Sequence, residues 1–185
     1  MGFAQTGEET APADEPFYRL TPNQFMARYN AIAPQVTGNS EPYLLQPVSD
    51  GQAVFCSTVM EHVYLSAKYD DSLETIEQVV VGLDTSTLMK QNVYGSDGEL
   101  KLDMVRMALV LDYAPTCEIA IRAADPTLTD DDVQDIFLTT VAEGIPYDTA
   151  YEGVLMAKMN GIRYRFTVLE LSGEPWHCFF IQAAE

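Results

Sequence analysis

Two helix entries in the sequence share one outline of residue types. The first is LTPNQF at residues 20–25, and the second is LTDDDV at residues 128–133. In both, a threonine suited to an N-cap follows a leucine, and an apolar residue stands four positions after the threonine, as in a hydrophobic staple. A helix-period stretch and then a run of strands follow each entry. This repeat predicts one compact α+β domain with a possible internal duplication, and chance convergence of common capping patterns is the alternative.

The first helix has a defined start and a defined end in the sequence. Thr21 caps it, Pro22 occupies the first helical position, and Gln24 completes a capping box. Pro34 is expected to end the helix, because proline lacks the N–H that an interior turn needs. The side chains expected to face the core recur with helical spacing at Phe25, Tyr29, Ile32 and Ala33.

Two further helices are predicted in the middle of the chain. One opens at Ser96 and runs to about Ala114, and its centre, residues 104–111, is apolar almost all round. Such a helix needs cover on more than one side, so we predict that it is the central core helix. The other runs from Thr129 to about Glu143, with a buried stripe at Val133, Ile136, Phe137, Thr140 and Val141.

Extended stretches make up most of the remaining sequence. Four follow the first helix, at residues 43–48, 52–58, 61–69 and 74–83, and Asp50-Gly51 predicts a hairpin turn between the first two. Three lie at the C-terminus, at residues 151–159, 162–171 and 176–183, and Asn160-Gly161 predicts a two-residue hairpin turn. We therefore predict a mainly antiparallel sheet of about seven strands with about three helices packed on one face, in the order α-ββββ-α-α-βββ.

Residues 1–16 differ in composition from the rest of the chain. They hold four acidic residues, no basic residue and few apolar ones, so we predict a disordered leader followed by a single domain at residues 17–185. The leader lacks the cationic start and apolar core of a signal peptide. We hypothesise that an export signal or lipid anchor was trimmed ahead of it, which favours an extracytoplasmic location over a cytoplasmic one. Mass spectrometry of the native protein would contradict this hypothesis by showing an N-terminus identical to this one.

The charge balance restricts the classes of partner. The chain carries 28 acidic and 10 basic side chains, for a formal net charge of -18. A surface of this sign repels phosphate backbones and anionic lipid, so we expect no nucleic-acid partner and instead a protein or a cationic ligand. No apolar run approaches the roughly 20 residues of a membrane-spanning helix. The alternative is that the acidity serves solubility alone.

Residue types that catalyse reactions are few in this chain. The cysteines, Cys56, Cys117 and Cys178, match neither a complete disulfide framework nor a zinc-ligand spacing. Strand alternation separates His177 from Cys178, which leaves Cys56 and His62 as the one conceivable thiol–imidazole pair. No phosphate-binding, zinc-protease or calcium-loop motif occurs. We predict no catalytic residue, metal site or cofactor, and keep a small Cys/His-dependent enzyme as an alternative.

Basic residues are concentrated at the Asn160-Gly161 hairpin. No basic residue lies between Arg122 and Lys158, and Lys158, Arg163 and Arg165 then follow closely. A two-residue turn places Lys158 opposite Arg163 on one strand face, with Arg165 two residues further along that face. This predicts a site for an acidic or anionic ligand. The alternative is that nearby carboxylates neutralise the three side chains within the fold.

Ten tyrosines are the other candidates for recognition, and the two in predicted loops, Tyr94 and Tyr147, are the better interface residues. Together with the acidity, these residues predict a non-catalytic, acidic binding or protein-interaction domain. The alternative from another class is an acidic intracellular chaperone or adaptor that shields a basic or apolar segment of its partner.

Overall fold

The computed structural model describes residues 13–38, 43–46, 54–60, 62–70, 74–85, 107–144 and 154–184. After a short 3-10 turn at Phe17–Arg19, the elements in chain order are α1 (Pro22–Thr37), β1 (Val54–Met60), β2 (Val63–Asp70), β3 (Thr75–Asp84), α2 (Ala114–Ala124), α3 (Asp130–Phe137), β4 (Leu155–Met159), β5 (Ile162–Leu171) and β6 (Glu174–Ala183). A π-helical turn at Leu109–Tyr113 leads into α2, and a second π-helical turn at Leu138–Ala142 follows α3.

The strands form one antiparallel sheet in the order β1-β2-β3-β6-β5-β4. Two three-stranded meanders therefore meet at β3 and β6, and each meander follows a capped helix. The predicted α+β class and antiparallel sheet are confirmed. The described part of the chain has six strands in the order α-βββ-α-α-βββ, so the predicted seven strands and their order are wrong. Whether the two halves are true repeats stays a prediction.

The missing strand is the first of the four predicted after α1. Residues 43–46 are not extended in a ladder. Instead the side-chain amide of Asn30, on α1, accepts a hydrogen bond from Leu45 N at 2.8 Å and donates one to Leu45 O at 3.0 Å. The main chain of Leu45 thus bonds to a helix side chain where a strand would bond to a neighbouring strand. The predicted turn at Asp50-Gly51 lies outside the described residues.

Helix α1 begins where its capping box predicted and ends later than expected. Thr21 Oγ1 accepts from Gln24 N, and Gln24 Oε1 accepts from Thr21 N. Pro34 lies inside the helix, which continues to Thr37 and ends at Gly38 in the left-handed conformation with φ 69°. The prediction that Pro34 ends α1 is wrong, because the proline removes only one helical donor and the glycine supplies the backbone conformation that closes a helix.

The second predicted helix also ends later than the sequence suggested. Its expected end near Ala114 is wrong, because α2 continues to Ala124, whereas its expected start at Ser96 lies outside the described residues. The capping box of α3 is confirmed, with Thr129 and Asp132 bonded reciprocally. No helix in the described ranges is long and apolar enough to cross a membrane.

The core lies between the helices and one face of the sheet. Helix α2 contacts α1, β3 and β6, and the turn after α3 contacts β4 and β5. The strands supply alternate residues to this core, including Leu65, Ala67, Val79, Val81, Leu83, Tyr164, Phe166, Phe179 and Ile181, and the helices supply Phe25, Tyr29, Ile119, Val133 and Ile136. Since side chains alternate along a strand, the residues between these point to the opposite face of the sheet.

Candidate binding face of the sheet

The face of the sheet opposite α2 carries most of the polar and cationic side chains of the strands. We call it the outer face. Its described members are half-buried or exposed for the most part, and they include Lys68, Gln78, Lys158, Arg163, Arg165, Trp176, Phe180 and Gln182. Four of the chain's ten basic residues therefore lie on this one surface of a protein with a net charge of -18.

Five of these residues form a continuous row across the sheet. The strand registers pair Lys158 with Arg163, Arg163 with Gln182, Gln182 with Gln78, and Gln78 with Lys68. We call this set the polar row. With adjacent strands about 4.8 Å apart, the row extends over about 19 Å. Cations lie towards both ends of the row and two carboxamides lie between them.

The hairpin between β4 and β5 fixes one cationic end of the row. Asn160 has φ 49° and Gly161 has φ 78°, as a two-residue turn of this handedness requires. The turn sets Lys158 directly opposite Arg163, in the predicted register. Asn160 Nδ2 also donates to Asp125 Oδ2 at 2.9 Å, which attaches the hairpin to the residue that follows α2.

The cations of the hairpin form no ion pair in the described ranges. None of the ion pairs there, at a limit of 4.0 Å, includes Lys158, Arg163 or Arg165, whereas Lys68 pairs with Glu77 at 2.6 Å. The Nε atoms of both arginines are shielded from solvent and have no hydrogen-bond partner within these ranges. The alternative raised from the sequence was that nearby carboxylates neutralise these side chains. No ion pair among the described residues supports it.

Arg165 is positioned by an aromatic ring. Its guanidinium carbon lies 4.4 Å from the centroid of the Phe180 ring, and the two residues are directly paired between β5 and β6. A cation over an aromatic face is attracted by the ring quadrupole, by about 0.5–1 kcal/mol at exposed sites. This contact fixes the side chain without using the planar donor edge that binds carboxylates.

A shallow cleft lies along the polar row. It has a volume of about 370 Å³ and is lined by Lys68, Glu77, Gln78, Arg163, Gln182 and Ala183. The lining combines two cations, one carboxylate and two amides, so it offers several hydrogen-bond donors and acceptors. Such a lining suits a polar, charged ligand better than an apolar one.

An aromatic pair lies further along the outer face, with Tyr64 two register rows and Trp176 three register rows from the polar row. The rings of Tyr64 and Trp176 are 5.7 Å apart between centroids. The Trp176 ring passes over Gly82, where the methyl group of an alanine would stand 3.5 Å from the ring. Sequence reasoning missed Trp176, Phe180 and the two glutamines, although the alternation of β6 places Trp176 and Phe180 on the same face.

The two predicted loop tyrosines, Tyr94 and Tyr147, lie outside the described residues. Their role as interface residues stays a prediction. The cationic residues and the tyrosines are therefore not shown to share one surface.

The residues considered for catalysis are not brought together by the described backbone. His62 lies in the turn between β1 and β2, and its Nε2 atom is 2.7 Å from Asp112 Oδ2. Cys56 pairs in register with Ser66 on β2. Ser66 is four residues from His62 along the chain, or about 13 Å at the rise of a strand. Within the described ranges, no group of three histidine, cysteine or acidic side chains is placed to hold a metal ion.

The other two cysteines lie in environments that suppress thiolate formation. Cys117 is fully buried, and desolvation raises its pKa well above the usual range. Burial also raises the pKa of Cys178 to about 11, although the charge of Arg165 opposes that shift. Reactive thiols have lowered pKa values, so these two behave as small apolar side chains.

Comparisons with known proteins assign no family to this chain. No protein-family model matches it, and neither curated proteins nor solved structures give a match. The outer face itself is therefore the basis on which a function can be assigned.

Proposed function

We propose that this protein is a non-catalytic binding domain that recognises an acidic segment of a partner protein on its outer face, along the polar row. The observation that supports the proposal is the pairing of Lys158 with Arg163 beside Gln182, with no carboxylate in ionic contact among the described residues. Opposed like charges are mildly destabilising within a fold, and a bound carboxylate would reverse that cost.

The chemistry of the row fits an extended acidic peptide. Arginine binds a carboxylate through two parallel N–H donors, and lysine binds it as a point charge. The carboxamides of Gln78 and Gln182 each provide donors and an acceptor, which match the N–H and C=O of a peptide main chain. A row of about 19 Å accommodates about six residues in an extended conformation.

The net charge of the protein restricts what such a partner can be. At physiological ionic strength the Debye length is about 8 Å, so the cations of the row act on a ligand mainly at contact distance. More distant carboxylates of the chain repel an acidic partner as it approaches. We therefore expect recognition of a short acidic segment and a modest affinity in place of rapid, electrostatically steered binding.

Fluorescence polarisation with labelled hexaglutamate tests the proposal, with labelled hexaglutamine as the uncharged control. The double variant Arg163→Gln/Arg165→Gln should bind hexaglutamate at least about tenfold more weakly, since each hydrogen bond to a charged group contributes about 1.5–3 kcal/mol. The matched control is Arg19→Gln/Arg122→Gln, which removes two guanidinium groups elsewhere and changes the net charge equally.

Equal losses in the two double variants would show that binding depends on net charge alone and would contradict the proposal. Stronger binding of a sulfated oligosaccharide than of hexaglutamate would assign the outer face to an anionic glycan, which also contradicts an acidic protein segment. Circular dichroism of each variant establishes that the fold is retained.

A further inference from the structure

A second surface, with the opposite charge, lies on the helical layer. A cleft of about 460 Å³ lies between the end of α1, the start of α2 and the end of α3. Its walls are mostly apolar, and the residues that line it include Val36, Tyr43, Val110, Leu111, Pro115 and Phe137. We call it the helical groove.

The apolar wall of the helical groove is exposed, so the prediction that this segment is covered on more than one side is wrong for Met107, Val110 and Leu111. Val110 and Leu111 are 56% and 55% exposed, and Met107, one turn earlier, is 59% exposed. Val110 and Leu111 line the groove together with Ala114, Pro115 and Glu118. With Met107, we call them the stripe. Contiguous apolar surface of this kind on a protein commonly marks an interaction site.

The groove continues into a polar cleft. A neighbouring cleft of about 320 Å³ shares Glu118 and Phe137 with it and is also lined by Arg122 and Asp130. Arg122 bonds to both acids, at 3.0 Å from Glu118 and 2.7 Å from Asp130. The two clefts therefore adjoin, and the first is mostly apolar whereas the second is lined by charged side chains.

The charge of the helical layer indicates which partner it attracts. Residues 107–144 contain eight acidic side chains and one basic side chain, for a formal charge of −7. Asp130, which lines the polar cleft, has a 90% exposed side chain. A cationic partner is therefore attracted to this layer, whereas the outer face of the sheet attracts an anionic one.

We propose that the helical groove binds an amphipathic helix of a partner protein, with an apolar stripe against Val110 and Leu111 and basic side chains towards the acidic layer. The stripe from Met107 to Glu118 covers about three helical turns, so a helix of about 12 residues fills it. Apolar anchors at i, i+3, i+4 and i+7 are the usual contacts of a helix bound in a groove. This site is independent of the outer face.

The experiment uses a labelled amphipathic peptide of leucine and lysine, with leucines at i, i+3, i+4 and i+7, and a second peptide of the same composition in which the leucines are scattered. Titration of the full chain should give tighter binding of the amphipathic peptide. The variant Val110→Gln/Leu111→Gln should weaken that binding by about tenfold. The matched control, Leu169→Gln/Leu171→Gln, removes two exposed apolar side chains from β5 and should leave it unchanged.

Three results would overturn the proposal. Equal affinity for both peptides would show attraction by charge alone, and an unchanged affinity of Val110→Gln/Leu111→Gln would place the peptide elsewhere. Self-association of the protein that Val110→Gln/Leu111→Gln abolishes, measured by analytical ultracentrifugation, would assign the groove to a second copy of this chain. Arg163→Gln/Arg165→Gln should still bind the amphipathic peptide, so failure at the outer face is distinguishable from failure here.

Discussion

The hydroxyl of Tyr43 donates a 2.7 Å hydrogen bond to the main-chain carbonyl of Leu111. Four residues after Leu111 stands Pro115, which has no N–H and cannot be the α-helical donor to that carbonyl. The tyrosine thus supplies a donor at the place where the helix changes from π-helical to α-helical geometry. Because Tyr43 also lines the helical groove, this bond connects the segment after α1 to the apolar wall of the groove.

Tyr43→Phe should lower the free energy of unfolding by about 1 kcal/mol, since it removes this hydrogen bond and keeps the ring. Urea denaturation followed by circular dichroism measures the change. Tyr18→Phe is the matched control, because it removes the same phenolic oxygen from another tyrosine. The Tyr18 ring contacts the Phe17 ring edge-on, and this contact does not involve the oxygen. A loss in Tyr18→Phe as large as that in Tyr43→Phe would refute a specific role of the Leu111 contact.

Asn30→Leu should destabilise the protein by about 1–3 kcal/mol, because it leaves both the N–H and the C=O of Leu45 without their side-chain partner. Amide hydrogen exchange at Leu45 gives a local measurement that should become faster in the variant. Gln35→Leu serves as control, since the Gln35 amide bonds only to the exposed carbonyl of Ala31 within the same helix. Unchanged exchange at Leu45 would contradict the assigned contact.

The local features of this fold were predictable and the non-local ones were not. The caps at Thr21 and Thr129 depend on residues three positions away, so the sequence reveals them. By contrast, the absence of a strand at residues 43–46 depends on Asn30, and the continuation of α2 through Pro115 is accompanied by a bond from Tyr43. Secondary-structure prediction from neighbouring residues alone includes neither Asn30 for residues 43–46 nor Tyr43 for Pro115.

Part of the candidate site was likewise predictable from local sequence, and part was not. The Asn160-Gly161 turn alone predicts that Lys158 and Arg163 share a face. Gln182 and Gln78 join them only because β6 pairs with both β5 and β3, and β3 and β6 are about a hundred residues apart in sequence. No turn sequence encodes that pairing, so the length of the polar row could be found only from the sheet order.

Asn160→Ala should cost about 2 kcal/mol of stability through two separable effects. Alanine at φ 49° carries the steric penalty of the left-handed region, about 1–2 kcal/mol, and the bond to Asp125 is lost as well. Asn160→Gly loses the side-chain bonds to Asp125 and Thr127 without the steric penalty, so urea denaturation should place it between wild type and Asn160→Ala. If both variants lose equal stability, the backbone conformation at Asn160 contributes nothing.

Thiol labelling in the folded protein should be slow at both buried cysteines. With a pKa of about 11, Cys178 is almost entirely protonated at pH 8, and burial raises the pKa of Cys117 well above its usual range as well. The experiment treats the Cys56→Ser variant with iodoacetamide and measures modification by mass spectrometry. Neither Cys117 nor Cys178 should be modified in the folded protein within the time that gives complete modification in 8 M urea. Rapid labelling of Cys56 in the folded wild-type protein would support the alternative of a Cys/His-dependent enzyme. A lack of labelling at Cys56 would contradict that alternative.

Tyr164→Phe should leave stability at pH 7 unchanged or slightly higher, and should reduce its loss at high pH. The Tyr164 hydroxyl is buried and has no hydrogen-bond partner among the described residues, so its removal relieves a desolvated polar group. Burial, with a further contribution from the charge of Asp125, raises the pKa of Tyr164 far above its usual value of 10.0. Above about pH 10 the unfolded chain therefore releases a proton that the folded chain retains, and stability falls as pH rises.

Phenylalanine cannot ionise, so the variant should lose less stability than the wild type between pH 9 and pH 11, as urea midpoints at each pH would record. Tyr18→Phe is the control, because it removes the same phenolic oxygen from a ring that is only partly buried against the core. Parallel slopes in wild type and Tyr164→Phe would mean that the Tyr164 ring is accessible to water in the folded protein. The packing of β5 against β6 through the Tyr164 and Phe179 rings, 6.4 Å apart, would then be wrong.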